Sequence, residues 1–361
     1  MRVRRVIGSG AVAETYTVVD DDGHVVDVVD DFLAVCTDRE MSPNTIRAKA
    51  FDLKAWLEFL ALTGTRVEDA VPEHLDRFAA WLRRPVLLGQ LKDAEDLLPK
   101  RDPRSVNRML SSVHSFYTFL DRRGVSGAGR LAAYHSSSWA GFAGFLEGIV
   151  DVAGRERHTR LKEVKKRPLT LTDGQVQAIL NGCDRLRDRF LMALMFETGC
   201  RIGQALGLRH GDIDTTRPAI TLVPRADNVN RARGKSREAK QIPVRSALLD
   251  LYTDYLFAEY GEIDSDYLFL NLWGGQRGRP MTYWSVMSLV KRLRARTGVE
   301  FHPHMFRHTH ATALLRAGVR LEIVADLLTH STGRTTAEFY DHLDADDLAE
   351  ELLRTGFWES P

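Results

Sequence analysis

The sequence predicts a mainly α-helical protein with an all-helical N-terminal domain and a mixed α/β C-terminal domain that is mostly helical with a small antiparallel sheet. The chain has 361 residues, which is enough for about two domains. Amphipathic stretches bounded by helix-capping residues recur in both halves. Short β-type runs occur near the N-terminus and within 219–245. Helices therefore dominate both halves, and strands are local additions.

The N-terminal half begins with a predicted β-hairpin. Residues 14–29, ETYTVVDDDGHVVDVV, hold two β-rich runs around an Asp-Gly turn. Ser42 and Pro43 then begin a long helix, as N-cap and first-turn residue, and this helix ends near Gly64. A further helical stretch covers about 72–84.

A second long helix of this half begins at Asp102-Pro103 and is closed by Gly124. Its sequence, PRSVNRMLSSVHSFYTFLDRRG, contains three aromatic residues that we expect in the core: Phe116, Tyr117 and Phe119. Residues 85–102 and 125–154 show no clear pattern, and their structure is left open.

The C-terminal half opens with LTLTDGQVQAIL, which begins a second helical unit. AITLV and QIPV flank a Gly- and Arg-rich turn and predict the small sheet, and helices resume from about residue 282. The predicted boundaries are a β-hairpin extension and first helix at 1–40, an all-helical domain at 41–154, a basic linker at 155–168, the mixed domain at 169–343 and a C-terminal helix and tail at 344–361.

The distribution of charge indicates a polyanionic partner. The formal net charge is only +1, but basic residues are concentrated in three runs. Residues 155–167 hold seven Lys and Arg against two Glu, residues 217–245 hold eight against two acids, and residues 277–296 hold six with no acid. Such segregation can produce a basic face on a protein of neutral total charge.

Composition excludes several classes of protein. No apolar run reaches the roughly 18 residues that a membrane-spanning helix needs, and the basic N-terminus lacks the apolar segment of a secretory signal. The three cysteines, Cys36, Cys183 and Cys200, are scattered and none is in a CxxC pair. They indicate reduced thiols, and we expect a cytoplasmic protein that does not associate with membranes.

The stretch HPHMFRHTH, residues 302–310, allows two interpretations. His304 and His308 are four residues apart and would share a helix face, as zinc ligands can. The position after the first of these is Met305, where a zincin has Glu, and a third ligand would also be needed. His304 and Arg307 are three apart and form a bare HxxR pattern, which is common by chance.

The order of several weak patterns resolves this choice. In chain order the C-terminal half contains Arg201 in TGCRIGQALGLRHGDID, Lys235 in a basic turn, HxxR in HPHMFRHTHATALLRAG, and His330 and Tyr340 in LLTHSTGRTTAEFY. These stretches resemble those of the tyrosine recombinase family, also called phage integrases. SPNTIRAKAFDLKAWLEFL and SVNRMLSSVHSFYTFL resemble the family's N-terminal helices, so that the resemblance covers about 42–343.

The resemblance implies a helical core-binding (SAM-like) domain, a tyrosine-recombinase catalytic domain and a metal-free, cofactor-free reaction on DNA. Two arginines would bind the scissile phosphate, a tyrosine would attack it, and the product would be a 3′-phosphotyrosine with a free 5′-hydroxyl. No ATP is needed, because the covalent link keeps the bond energy. The implied catalytic residues are Arg201, Lys235, His304, Arg307, His330 and Tyr340.

The chain departs from the family pattern at three places. Gln204 replaces the usual Glu, Thr329 replaces a Gly, and ten residues separate His330 from Tyr340, one more than usual. The general acid is left open between Lys235 and Lys240, and Lys235 is preferred because it stands eight residues before a Pro, as in the family.

The resemblance also implies DNA and protein partners. Double-stranded recombination sites and a homo-tetramer on DNA are implied, with a possible accessory DNA-bending or directionality factor; the last helix, 344–361, would link protomers. We expect DNA contacts from Arg47, Lys49, Arg108, Lys165, Lys166 and Arg167.

The alternative functions are a type IB topoisomerase-like enzyme, a non-catalytic DNA-binding accessory protein and a zinc protein that uses His304 and His308. Within the family, the segments beyond a minimal resolvase favour a mobile-element enzyme, an integrase or transposase.

Overall fold

A computed structural model describes residues 1–7, 14–83, 101–132, 160–162, 169–234 and 238–328. The chain divides into two compact units, Met1–Lys165 and Lys166–Pro361. In these ranges no helix has the length and apolar character needed to cross a membrane.

The N-terminal unit is helical apart from one two-stranded sheet. Its elements are β1 (Arg2–Val6), β2 (Thr15–Val19), α1 (Asp27–Asp38), α2 (Pro43–Leu62), a 3-10 turn (Val67–Asp69), α3 (Pro72–Arg83), α4 (Pro103–Arg122) and α5 (Gly129–Ala132).

The hairpin predicted within residues 14–29 forms only at its turn, where Val19 and Val25 make a single antiparallel bridge. The first run is strand β2, and its antiparallel partner along its full length is β1, with Arg2 opposite Val19. The second run instead leads into α1, which buries Val29, Phe32, Leu33 and Cys36. This spacing forms a continuous helical stripe, so a helix buries more of the segment's apolar surface than a strand could.

The two long helices begin and end as predicted. The Ser42 hydroxyl accepts a hydrogen bond from the Thr45 amide, and the Asp102 carboxylate accepts one from the Ser105 amide. Gly64 and Gly124 follow α2 and α4 with φ of +64° and +74°. Between these helices Phe116 and Tyr117 are fully buried, as expected, whereas Phe119 is partly buried.

The C-terminal unit joins helices to a three-stranded antiparallel sheet of order β3-β4-β5. Its elements are α6 (Asp173–Asn181), α7 (Leu186–Thr198), α8 (Ile202–Ala205), a 3-10 turn (His210–Asp212), β3 (Ile213–Asp214), β4 (Ala219–Leu222), β5 (Lys240–Pro243), α9 (Ser246–Tyr255), a π-helical turn (Leu256–Tyr260), α10 (Tyr283–Thr297), α11 (Pro303–Arg316) and α12 (Leu321–Leu327).

Strands β4 and β5 and helix α10 confirm the predicted order of elements, but helices resume earlier than residue 282. Helix α9 begins three residues after β5 ends and buries Leu248, Leu249, Tyr252 and Tyr255. The π-helical turn that follows carries Glu259, whose carboxylate accepts hydrogen bonds of 3.0 Å from the amides of Leu186 and Arg187. A carboxylate distant in sequence therefore caps the first turn of α7.

Candidate active site

A tight turn after α7 positions the first candidate arginine. Gly199 ends the helix in the left-handed conformation, with φ of +59°. A Cβ atom at this position would lie 2.7 Å from the Leu328 side chain and 2.8 Å from His310. Arg201 follows two residues later, as the N-cap of α8. Glycine is therefore required both by the backbone and by the close approach of two segments distant in sequence.

The second candidate arginine lies on α11. Pro303 occupies the first turn, where a missing N–H is tolerated, and Arg307 is 2% exposed. Its guanidinium donates one hydrogen bond of 2.8 Å to the Gly199 carbonyl and another to the Leu328 carbonyl. Arg307 thus connects the end of α7, helix α11 and the end of α12.

The two arginines share one electrostatic environment. Burial, and next the positive charge of Arg201, lower the pKa of Arg307 to about 9. Burial also lowers the pKa of Arg201. Arg307 remains protonated at neutral pH, and both of its hydrogen-bonded partners in the described part of the chain are neutral carbonyls. Two neighbouring guanidinium charges in a partly desolvated site favour a bound anion, because an anion removes their mutual repulsion.

The histidines of α11 occupy different environments. His304 is exposed, and its ring meets that of His308 edge to face, with centroids 4.5 Å apart. His310 points the other way and packs beside Gly199. Burial, followed by the charge of Arg307, lowers the pKa of His310 to about 4. His310 is therefore neutral at physiological pH.

The zinc interpretation needs a third ligand near His304 and His308. Among the residues that the structure describes, the one group of three possible ligands within 4.8 Å is Asp20, Asp22 and His24, in the N-terminal unit. This group follows β2 in an acidic turn, and such clusters are common on protein surfaces without a metal.

The loop that leads to Lys235 is held against α8 and its neighbours. A Cβ atom at Gly203 would lie 2.2 Å from the carbonyl oxygen of Arg233, so the loop backbone packs directly on this glycine. The Asn230 amide group donates to the carbonyls of Leu206 and Met281, at 2.9 and 2.8 Å. The chain reaches Lys235 two residues after Arg233. The loop is therefore anchored on α8, the short helix that Arg201 caps.

Lys240, the alternative general acid, has a partner. It begins β5, and its ammonium group forms an ion pair with Asp326 on α12. The side chains are 30% and 65% exposed, so the pair is partly solvated.

Gln204, in place of the family's Glu, supports Arg201 through the backbone. Its side-chain oxygen accepts a hydrogen bond of 2.9 Å from the Arg201 amide. An amide oxygen makes the same bond as a carboxylate would, but adds no negative charge beside the arginine.

The structure brings together Arg201 and Arg307, and it places His304 on the exposed side of the same helix as Arg307. Lys235, Thr329, His330, Tyr340 and the segment 344–361 lie outside the described residues, as do Lys165, Lys166 and Arg167.

The described DNA-binding candidates lie on α2 and α4. Arg47 is exposed, with its guanidinium 5.4 Å from the centre of the Phe51 ring. Lys49 is half-buried over Phe32, also at 5.4 Å, and burial lowers its pKa. Arg108 is half-exposed and forms an ion pair with Asp52.

Three contributors to the site were not singled out from the sequence. Gly199 and His310 stand inside the quoted motifs, but their mutual packing depends on how α7 and α11 meet. Asn230 carries no local signal, because an asparagine in a loop is usually a turn residue.

Comparisons with known proteins identify the family that the chain resembles. A sequence profile described as "Phage integrase family" matches residues 170–346, and one described as "Phage integrase, N-terminal SAM-like domain" matches residues 29–124. Transposase A from transposon Tn554 of Staphylococcus aureus is 36% identical over 353 residues, which cover 98% of this chain and 97% of that protein. Tyrosine recombinase XerD of Bifidobacterium longum is 26% identical over 332 residues, covering 88% and 92%.

Solved structures share the fold. The Tn1549 transposon integrase in complex with circular intermediate DNA aligns over 90% of this chain and 98% of its own, with a TM-score of 0.61 and 17% identity. XerH site-specific recombinase bound to its palindromic difH substrate, in a post-cleavage complex, aligns over 90% and 83% with a TM-score of 0.57 and 18% identity.

Proposed function

The chain belongs to the phage integrase family and is a tyrosine recombinase, and we propose that it moves a transposable element by cutting and rejoining duplex DNA through Tyr340. The Tn554 transposase, similar over almost the full length of both chains, supports the role in transposition. The observation that carries the proposal is the pair formed by the half-buried Arg201 and the buried Arg307, whose guanidinium binds two carbonyls and no carboxylate among the residues that the structure describes.

The two arginines would bind the non-bridging oxygens of the scissile phosphate. The charge of Arg307 is fixed before the substrate arrives, since two carbonyls hold its guanidinium, and the turn at Gly199 positions the backbone of Arg201. Charge that develops on the phosphoryl oxygens in the transition state then meets donors that need no rearrangement. His330, two residues beyond the Leu328 carbonyl that accepts from Arg307, would donate to the same phosphate.

The remaining residues would move protons. The Tyr340 oxygen attacks phosphorus, its proton passes to His304, and the bond from phosphorus to the 5′ oxygen breaks. Lys235 supplies the proton that the leaving 5′ oxygen takes up. The exposed position of His304 on α11 supports a contact with incoming DNA, and the ion pair of Lys240 with Asp326 supports Lys235 as the acid.

Partners follow from the strand-exchange reaction. We propose that the protein acts in the cytoplasm on duplex recombination sites at the element's ends, as a homo-tetramer, with an accessory factor where directionality is controlled. Residues 345–361 would join neighbouring protomers. Their deletion should abolish DNA-bound tetramers in native gels while monomer binding persists, and unchanged tetramers would refute that role.

Covalent trapping tests the chemistry. Duplexes from the element's ends, nicked near the exchange point, are incubated with protein in EDTA and run on a denaturing gel. We expect a protein–DNA adduct with wild type and with Tyr283→Phe, which removes an exposed hydroxyl on α10, but none with Tyr340→Phe. An adduct with Tyr340→Phe would move the nucleophile to another residue.

The alternative functions predict other results in binding, trapping and relaxation assays. A non-catalytic DNA-binding protein gives specific binding but no adduct, and Tyr340→Phe changes nothing. A type IB topoisomerase-like enzyme relaxes supercoiled plasmid that lacks the element's ends, which a site-specific recombinase leaves supercoiled.

A further inference from the structure

The N-terminal unit contains a buried carboxylate between its two longest helices. Asp52, on α2, has 1% of its side chain exposed. Its Oδ2 accepts hydrogen bonds from Arg108, at 2.5 Å, and from Ser112, at 2.8 Å, both on α4. Its Oδ1 is also buried and has no hydrogen-bond partner among the residues that the structure describes.

This arrangement is unfavourable for the carboxylate itself. Burial raises the pKa of Asp52, although Ser112, Arg108 and Lys49 act in the opposite direction. An apolar residue between two packed helices would avoid that penalty. A buried acid with one unsatisfied oxygen therefore suggests a role beyond helix packing.

Arg108 is the partner that reaches solvent. Its side chain is 49% exposed, whereas Asp52 and Ser112 are buried. One terminal nitrogen of the guanidinium, Nη1, is bonded to Asp52. An arginine held by one nitrogen loses much of its rotamer freedom and still has N–H donors directed elsewhere.

The surface around Arg108 favours an anion. Arg104 lies one helical turn earlier on α4, and both arginines are exposed. The two guanidinium groups form a cationic stripe, and the Asp52 carboxylate that holds Arg108 is buried beneath it. Such a stripe matches a DNA phosphate backbone.

We propose that Asp52 is a positioning residue, which holds Arg108 in the geometry required to contact a DNA phosphate. This inference rests on the proposed function, since it requires that the protein binds duplex DNA. Asp52 would act through Arg108 and touch no DNA itself. Ser112 completes the support by holding the same carboxylate oxygen.

Asp52→Asn should change the affinity for DNA in opposite directions under the two explanations of the carboxylate. If the carboxylate merely adds negative charge near DNA, its removal tightens binding. If the carboxylate positions Arg108, its removal weakens binding, because the freed side chain no longer holds its contact with the phosphate. We expect about a tenfold loss of affinity for duplexes from the element's ends at moderate salt.

The salt dependence and a double-mutant cycle complete the test. Affinity of the full-length protein is measured by fluorescence anisotropy between 50 and 300 mM KCl for wild type, Asp52→Asn, Arg108→Ala and the double variant. The slope of log K against log salt is negative, and each lost phosphate contact reduces its magnitude by ~0.9. We expect Asp52→Asn and Arg108→Ala to reduce this magnitude similarly, and the double variant to lose no more than Arg108→Ala alone.

Asp31→Asn is the matched control. Asp31 also forms an ion pair with an arginine of this unit, Arg123, but both side chains are about half exposed, at 54% and 53%. We expect this variant to bind DNA as tightly as wild type or more so. Circular dichroism melts establish that the variants fold.

The possible results distinguish a failure of the positioning role from a failure of the proposed function. Additive losses, an unchanged slope or tighter binding by Asp52→Asn would overturn the positioning role. Arg108→Ala binding with wild-type affinity and slope would overturn it as well, since Arg108 would then contact no phosphate. A wild-type protein that binds no duplex from the element's ends would instead reject the proposed function, and this inference with it.

Discussion

The guanidinium of Arg307 donates a hydrogen bond of 2.8 Å to the carbonyl of Gly199, across 108 positions of the chain. Gly199 has the left-handed backbone that ends α7, and Arg201 follows it by two residues. One turn therefore orients both candidate phosphate-binding arginines, one through its backbone and the other through a carbonyl. The geometry of this turn should control activity as strongly as the arginines do.

Gly199→Ala tests that control. A left-handed backbone costs a residue with a Cβ atom about 1–2 kcal/mol, and the new atom would lie 2.7–2.8 Å from Leu328 and His310. We expect urea unfolding to show a loss of at least ~2 kcal/mol, with clashes adding to the backbone term, and adduct formation to fall. Gly211→Ala is the control, since nothing lies within 4 Å of a Cβ there. Equal losses in the two variants would contradict the explanation.

Arg201→Gln should reduce activity without reducing stability. Loss of one positioned charge typically reduces catalysis by about 10²–10³-fold. The charge of Arg201 lowers the pKa of Arg307, which means that the two charges repel. We therefore expect adduct formation to fall by that factor while the melting temperature stays the same or rises. A fall of both together would show that Arg201 is needed for folding.

His310 should make stability depend on pH. A histidine in the unfolded chain has a pKa near ~6.5, and burial lowers that of His310 to about 4. Between these values the unfolded chain binds a proton that the folded protein does not, so the free energy of unfolding falls as pH drops below neutral. From pH 7 to pH 5 this loss amounts to about 2 kcal/mol for one such group.

The comparison of wild type with His310→Asn isolates that contribution, because His210 and His302 also have pKa values lowered by burial. Urea unfolding at pH 7 and pH 5 should show a smaller difference for the variant. His24→Asn removes a histidine that is 82% exposed and should leave the difference unchanged. A pH dependence equal in wild type and His310→Asn would show that His310 takes up its proton in the folded state.

A sulfur leaving group should distinguish Lys235 from Lys240. With sulfur in place of the bridging 5′ oxygen, the departing thiolate needs no general acid, since a thiol has a pKa near ~8.5. We expect Lys235→Ala to cleave the ordinary nicked duplex poorly and the sulfur-substituted one at the wild-type rate. Lys240→Ala should behave like wild type on both, because its exposed pair with Asp326 contributes at most about 1 kcal/mol. The reverse pattern would identify Lys240 as the acid.

The sequence alone determined the features that depend on neighbouring residues. Ser42 and Asp102 cap their helices and Gly64 and Gly124 follow them, because capping uses donors and acceptors a few residues apart. The ordered set of motifs also identified the family and its reaction, since the chemistry of phosphate cleavage demands those residue types.

Tertiary structure decided what depends on contacts between distant segments. Strand β2 pairs along its length with β1 and meets the run beyond its own turn at a single bridge, because the rest of that run buries more apolar surface as helix α1. Arg307 is buried against Gly199 and Leu328 while His304, three residues earlier, is exposed. Arg108 is joined to a buried Asp52 that is 56 residues away. Periodicity shows which residues share a helix face, but burial, strand pairing and ion pairs depend on what that face meets when the chain folds.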